Sequence, residues 1–179
     1  VWLALNMTYN GASGSTAEGM AKALHATGVS LEDLNGDNAG LMGVLTAADP
    51  KVQIAIANSI WMRKGLEADF SQDFLDRNQQ YYAAMIEALD FSDAGAADII
   101  NKWVEDNTNG NIKNLVEPPI HPSTVMFLIN ATHFKAPWKQ AFDPKLTRDG
   151  MFTLANGSQV QAKFLFREEN NVGFADENV

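Results

Sequence analysis

The sequence predicts an α+β fold, and two observations carry that prediction. Helical stripes occur together with strand-like runs, most of which do not alternate polar and apolar residues. Of 179 residues, 46% are apolar and 20% charged, enough to bury a core and too few charges for a disordered chain. The length suits one domain or a large piece of one.

Val1 to Met7 reads as a buried helix already under way, ending near Tyr9-Asn10-Gly11. Ser15 and Glu18 have the spacing of a capping box. Ala17, Met20, Ala21 and Leu24 then predict a second helix to about Gly28. Leu31 to Ala48 contains Gly36, Gly40 and Gly43 and predicts only a short helix. Val52 to Trp61 alternates with period two, a strand closed by Arg63-Lys64-Gly65. Phe74, Asn78 and Tyr82, with Tyr81 and Met85 alongside, predict a helix from about Ser71. Glu87, Leu89 and Phe91 suggest a short strand. Ala96, Ile99, Ile100, Trp103 and Val104 mark an amphipathic helix that frays before Gly110. Pro118, Pro119 and Pro122 exclude helix from the next stretch. Thr124 to Phe134 is nearly all apolar, predicting a strand covered on both faces in the middle of a sheet. Asn156-Gly157 between Met151–Leu154 and Val160–Leu165 predicts a hairpin, and Val172 to Val179 a further strand.

Composition narrows the function classes. The formal charge of −9 argues against nucleic acid, whose phosphates need a basic footprint, and against an anionic membrane surface. No apolar run is long enough to span a bilayer. With no cysteine there is no disulfide frame, thiol nucleophile or thiolate metal site.

Gly11 to Thr16 resembles a phosphate cradle before a helix, but no Lys precedes Ser15 or Thr16 as a Walker loop requires, so it reads as a turn. His25, His121 and His133 lack metal-ligand spacing; His133, in the apolar strand, is expected to make a structural hydrogen bond. No serine stands in a G-x-S-x-G elbow. No enzyme chemistry, cofactor or metal is therefore expected. Asn6, Asn130 and Asn156 head glycan-acceptor patterns, of which only Asn156, at the hairpin tip, is sterically open.

Five stretches carry a family resemblance. NATHFKAPWKQAFDP, Asn130 to Pro144, resembles the serpin segment Asn-Ala-x-x-Phe-Lys-x-x-Trp-x-x-x-Phe-(Asp/Glu). INKWVEDNTNGNI, Ile100 to Ile112, resembles the end of serpin helix F, and ALNMTYNGASGST, Ala4 to Thr16, helix B and its exit into helix C. ANSIW, Ala57 to Trp61, looks like the second strand of sheet A, and LTRDGMFTLANGSQVQ, Leu146 to Gln161, like the strands after the Trp segment. The closest flavour is the plain prokaryotic type. Ala136-Pro137 before Trp138, and Ala162 to Leu165 where Pro-Met-Met is common, depart from the family pattern.

The resemblance implies a single incomplete serpin domain over residues 1–179: helices B to F, strands 1–3 of sheet A and the start of sheets C and B. It puts Asn130 at the shutter of the third strand and Asn58 on the second. Phe134, Lys135, Trp138 and Phe142 fall in the segment around the breach, and Asn101, Trp103, Thr108 and Gly110 in helix F. It implies a suicide inhibitor of serine or cysteine proteases, acting outside the cell or in its envelope, whose cleaved reactive loop inserts into sheet A. A non-inhibitory carrier or chaperone is the alternative. The reactive loop and fifth strand of sheet A are expected beyond Val179, leaving this segment inactive alone and prone to aggregate or to pair with a complementary fragment. Ala23 to Pro50 contains no Lys or Arg, so heparin is not an expected partner.

Overall fold

Strand β1, Gln53–Arg63, is the element on which the larger part of the molecule is built. The structure, a computed structural model, describes residues 1–47 and 49–167. It divides into two units, Val1–Ala136 and Pro137–Val179. The strand expected over Val172 to Val179 lies outside the described residues.

In the first unit the elements run α1 (Trp2–Tyr9), α2 (Gly14–Ala23), α3 (Leu31–Thr46), β1, α4 (Gln72–Tyr82), β2 (Met85–Leu89), α5 (Ala96–Asn107) and β3 (Met126–Lys135). The sheet order is β2-β1-β3. β2 lies parallel to β1, with Ser59 opposite Met85, as a strand–helix–strand crossover through α4 requires. β3 is antiparallel to β1, from Gln53 opposite Lys135 to Met62 opposite Met126, with Asn58 opposite Asn130.

Strand alternation sends successive residues to opposite layers. Ile60 and Met62 pack with Leu3 and Met7 of α1 and with Phe74 and Tyr82 of α4; Ile56, Leu128 and Met126 join them. Trp61 and Ile129, with Phe127, Met85 and Leu89, pack against Ala96, Ala97, Ile100 and Val104 of α5 on the other face. Trp103 meets Trp61 edge-on at 6.2 Å between ring centroids.

The structure corrects several expectations. Among the described residues β1 lies between β2 and β3, and β3 is covered on both faces along its first half. In β1 the small residues Ala55, Ala57 and Ser59 share a face with Trp61, which is buried. α3 is a full 16-residue helix despite its glycines. Its anchors are the buried Leu34, Asn35 and Asn38, while Gly36, Gly40 and Gly43 face outward where they displace no packing. Ser30 caps its start, accepting from the Asp33 N–H at 3.1 Å. α2 begins at Gly14 rather than after Ser15, with Ser13 extended, so the capping box does not form. It also stops at Ala23: Leu24 leaves the helix and His25 takes φ +50°, which lets Leu24 and Ala26 bury beside Leu34. Met85 belongs to β2, because Ala83 at φ +48° ends α4 first, and Phe91 lies beyond the strand. Val1 and Trp2 are exposed, so only one side of α1 is buried.

The second unit contains the hairpin β4 (Arg148–Thr153) and β5 (Gln159–Phe164), with Thr153 opposite Gln159. Its connection is a turn closed by Gly157 N–H to Leu154 O at 2.9 Å, followed by Gly157 at φ +81° and by Leu154 N–H to Ser158 O at 2.8 Å. That is the three-residue loop with a glycine bulge, not a two-residue Asn-Gly turn.

Tyr82 is 1% exposed, and burial pushes its phenol up to about 12, with the hydrogen bond from Asn38 opposing. Its ordinary value is about 10. The folded state therefore holds the proton more tightly than the unfolded state. Its contribution is complete below about pH 10 and is lost as pH rises towards 12. In a full-length protein carrying this segment, urea midpoints should fall across that interval. Tyr82→Phe should flatten this fall while costing about 1–3 kcal/mol at neutral pH, by stripping partners from buried amides. Parallel slopes for the two proteins would show that Tyr82 does not report on folding.

Candidate functional site

A chain of buried side-chain amides connects the helical layer to the β1–β3 ladder. It starts at Trp2 of α1, whose indole N–H donates to Asn38 Oδ1 at 2.8 Å. Asn38 Nδ2 donates to the Tyr82 hydroxyl at 3.1 Å, and that hydroxyl donates to Asn35 Oδ1 at 2.7 Å. Asn35 and Asn10 bond each other reciprocally, Asn35 Nδ2 to Asn10 Oδ1 at 2.7 Å and Asn10 Nδ2 to Asn35 Oδ1 at 3.2 Å. At the other end of the same tyrosine, its backbone carbonyl accepts from Asn58 Nδ2 at 2.8 Å. Asn58 Oδ1 accepts from Asn130 Nδ2 at 2.7 Å, across the ladder.

Local sequence explains why these groups meet. Asn58 and Asn130 stand directly opposite in the antiparallel register, so their side chains share a face. That face is the one under α1 and α4. Tyr82 presents its carbonyl to β1 because α4 ends there and the carbonyl has no helical partner to take. Asn35 and Asn38, three apart on α3, share one side of that helix. Asn58 is 3% exposed and Asn130 half-buried; Thr132 Oγ1 donates to Asn130 Oδ1 at 3.4 Å.

The helix F candidates form a second group, around the end of α5. Asn101 clamps the following segment: its Nδ2 donates to Val116 O at 2.8 Å, and its Oδ1 accepts from Leu115 N at 2.9 Å and Val116 N at 2.8 Å. Thr108 caps the helix, donating to Val104 O at 2.7 Å and accepting from Ile112 N at 3.1 Å. Gly110, at φ +77°, returns its N–H to Glu105 O at 2.8 Å. Trp103 packs on Trp61 as described. Phe134 and Lys135 lie at the exposed end of β3, Phe134 being 66% exposed. Trp138 and Phe142, in the second unit, meet edge-on at 5.6 Å, and Trp138 is 68% exposed.

His133 is not buried as expected. It is half-buried and its ring makes no hydrogen bond among the described residues; it lines a cleft of about 340 Å³ with Gln53, Asp106 and Asn109. A larger, apolar cavity of about 420 Å³ lies among Met20, Phe70, Phe74 and Met126, with Thr8, Asp69 and Ser71 as polar lining and no histidine. The displaced pKa values other than that of Tyr82 belong to exposed turns and pairs: Asp90 is lowered by the Ser92 hydroxyl and N–H, and Lys102 is raised by Asp106. Of the three acceptor-pattern asparagines, Asn6 is buried, Asn130 is engaged with Asn58, and Asn156 is exposed. Among the described residues no helix is long and apolar enough to cross a membrane.

Sequence reasoning found Asn58 and Asn130 but not the network behind them. Tyr82 was visible only as part of a helical stripe, and Asn10, Asn35 and Asn38 carried no motif. The available signal was spacing. Asn35 and Asn38 recur at helical interval on the side that carries Leu34.

Comparison with known proteins places this geometry. The profile described as "Serpin (serine protease inhibitor)" matches residues 1–179. Neuroserpin of Homo sapiens is 35% identical over 173 residues, covering 93% of this chain and 40% of the relative. The native-state structure of tengpin, a thermophilic serpin, superposes with a TM-score of 0.76 at 37% identity, over 92% of this chain and 41% of that one. The structure of human thyroxine-binding globulin superposes at 0.74 with 30% identity, over 90% of this chain and 44% of that one. The chain thus spans less than half the length of these relatives. With the family profile matched from Val1 to Val179, the chain belongs to the serpin family.

Proposed function

We propose that the protein carrying this chain inhibits serine or cysteine proteases by being cleaved at a reactive loop and inserting that loop as a strand beside β3. The observation that supports the reading is the serpin profile matched over residues 1–179, with Asn130 on β3 held by Asn58 across the ladder. A strand that joins the edge of a sheet gains ladder hydrogen bonds. In this reading the Asn58–Asn130 bond is a latch on the sheet and Trp138 belongs to the breach. Residues 1–179 form part of one serpin domain, and the reactive loop lies elsewhere in the protein. The protein acts as an inhibitor rather than an enzyme, outside the cell or in its envelope. A non-inhibitory carrier is the second reading, favoured by the equally good superposition on thyroxine-binding globulin.

A full-length protein should give a covalent complex with a trypsin-like, chymotrypsin-like or papain-like protease that survives boiling in detergent, and residues 1–179 alone should give none. Cleavage of the loop with no complex in any of the three reactions would favour the carrier.

Heparin should leave the inhibition rate unchanged. α3 carries Glu32, Asp33 and Asp37 and no Lys or Arg, so it repels sulfated chains. An acceleration that fades with added salt would contradict this.

The latch is tested through its buried partners. Asn58→Ala strips Asn130 Nδ2 of its acceptor and the Tyr82 carbonyl of its donor, at a cost of about 2–3 kcal/mol. In the full-length protein it should hasten conversion to latent or polymeric forms on mild heating, followed on native gels. Asn130→Ala should do the same, and the double variant should add little to either. Conversion at the parent rate would remove the latch from the mechanism.

A further inference from the structure

The chain contains four Asn-Gly pairs, Asn10-Gly11, Asn35-Gly36, Asn109-Gly110 and Asn156-Gly157. Asparagine before glycine is chemically labile, because glycine has no Cβ to keep its backbone nitrogen away from the preceding side chain. The fold treats the four differently. Asn10 and Asn35 are 5% and 1% exposed, and each side-chain amide is engaged by the other. Asn109 is exposed, but its side-chain oxygen accepts no hydrogen bond among the described residues. Asn156 is exposed at the hairpin tip, and its Oδ1 accepts two: Ser158 N–H at 3.0 Å and Ser158 Oγ–H at 2.7 Å.

We propose that Asn156 is a built site of spontaneous deamidation, with Ser158 as its activating residue. Both exposed pairs share one restraint, a glycine N–H tied to a carbonyl: Gly157 to Leu154 at 2.9 Å and Gly110 to Glu105 at 2.8 Å. Opening that bond therefore does not distinguish them; the donors on the side-chain oxygen do. The turn that brings Ser158 N–H to Asn156 Oδ1 folds the side-chain carbonyl back over the Gly157 peptide. Space around Gly157 is open, with no heavy atom within 4 Å of where a Cβ would stand. The Gly157 nitrogen attacks Asn156 Cγ, and negative charge develops on Oδ1, where the two Ser158 donors already point. The Cγ–Nδ2 bond then breaks, and ammonia leaves with the proton from the Gly157 nitrogen. The resulting cyclic imide takes up one water. Opening at Cγ gives aspartate; opening at the main-chain carbonyl gives isoaspartate. Either product adds one negative charge to a chain already at −9. Isoaspartate also lengthens the backbone inside the turn closed by Leu154 N–H and Ser158 O, loosening the β4–β5 hairpin.

The test uses unglycosylated full-length protein from a bacterial host, held in warm, mildly alkaline buffer and sampled for peptide mapping with isoaspartate detection. Asn156 should convert first, about three- to tenfold faster than Asn109, with Asn10 and Asn35 intact. Ser158→Ala should slow Asn156 by about the same factor, the effect of one lost hydrogen bond, and leave Asn109 unchanged. In urea all four pairs should converge and the Ser158→Ala effect should shrink. Equal rates at Asn156 and Asn109 in the folded protein would overturn the proposal. So would an Asn156 rate indifferent to Ser158→Ala, or the same ranking persisting in urea.

Discussion

Everything around the sheet depends on how Tyr82 satisfies two sets of buried polar groups at once. Its hydroxyl holds α3 through Asn35 and Asn38, and its carbonyl holds β1 through Asn58. A buried amide left unpaired costs about 1–3 kcal/mol, so neither set can shift without penalty to the other. The result is a hydrogen-bonded path from Trp2 on α1 and Asn10 just past its end to Asn130 on β3, with Tyr82 in the middle. Apolar packing alone holds α3 weakly, since two of its three buried side chains are the amides Asn35 and Asn38. Directional bonds fix its register where contact area cannot.

The same constraint bears on the proposed mechanism. A sheet that admits a new strand has to give way on a face that is well packed. On the α5 side the contacts are aromatic and aliphatic: Trp61, Trp103, Phe127 and Ile100. Such contacts tolerate sliding because dispersion is not directional. On the opposite side Asn58 and Asn130 are bound to each other and to the helical layer. The proposed latch therefore sits on the face where directional bonds join the two strands to the helical layer; on the α5 face Trp61 bonds Ser59 within β1 and Asn101 bonds the segment after α5.

How legible this was in the sequence follows from what each element depends on. β1, α4, α5 and the hairpin were readable because their patterns arise from local chemistry: alternation in Gln53–Arg63, an apolar stripe in Ala96–Asn107, turn residues at Asn156-Gly157. α3 was underestimated because its stability is tertiary. Glycine lowers helix propensity, but here the glycines are outward and the cap and the Asn contacts hold the helix. The ends of α2 and α4 were misplaced because His25 and Ala83 adopt left-handed backbone that neither residue type announces. The all-apolar run of β3 reports the coverage of its faces and says nothing about its edges. Asn58 and Asn130 could be singled out only through family resemblance; their bond depends on register, which one strand's sequence does not contain.

Register is also why the pairing is specific. A one-residue slip of β3 against β1 would turn Asn130 to the α5 face, among Trp61, Ile100 and Val104, away from the Asn58 side chain. It would also strip Asn58 of its donor while burying it. Both errors carry the cost of an unpaired amide, whereas the apolar residues of β3, Leu128, Ile129 and Phe127, would exchange faces at little loss. The apolar content of β3 thus drives it into the sheet, and the asparagine pair selects which of the neighbouring alignments survives. In a sheet proposed to open and close during its working life, that selection has to be recovered each time the ladder reforms. A pair of mutually bonded amides, opposed in a single register, supplies it locally.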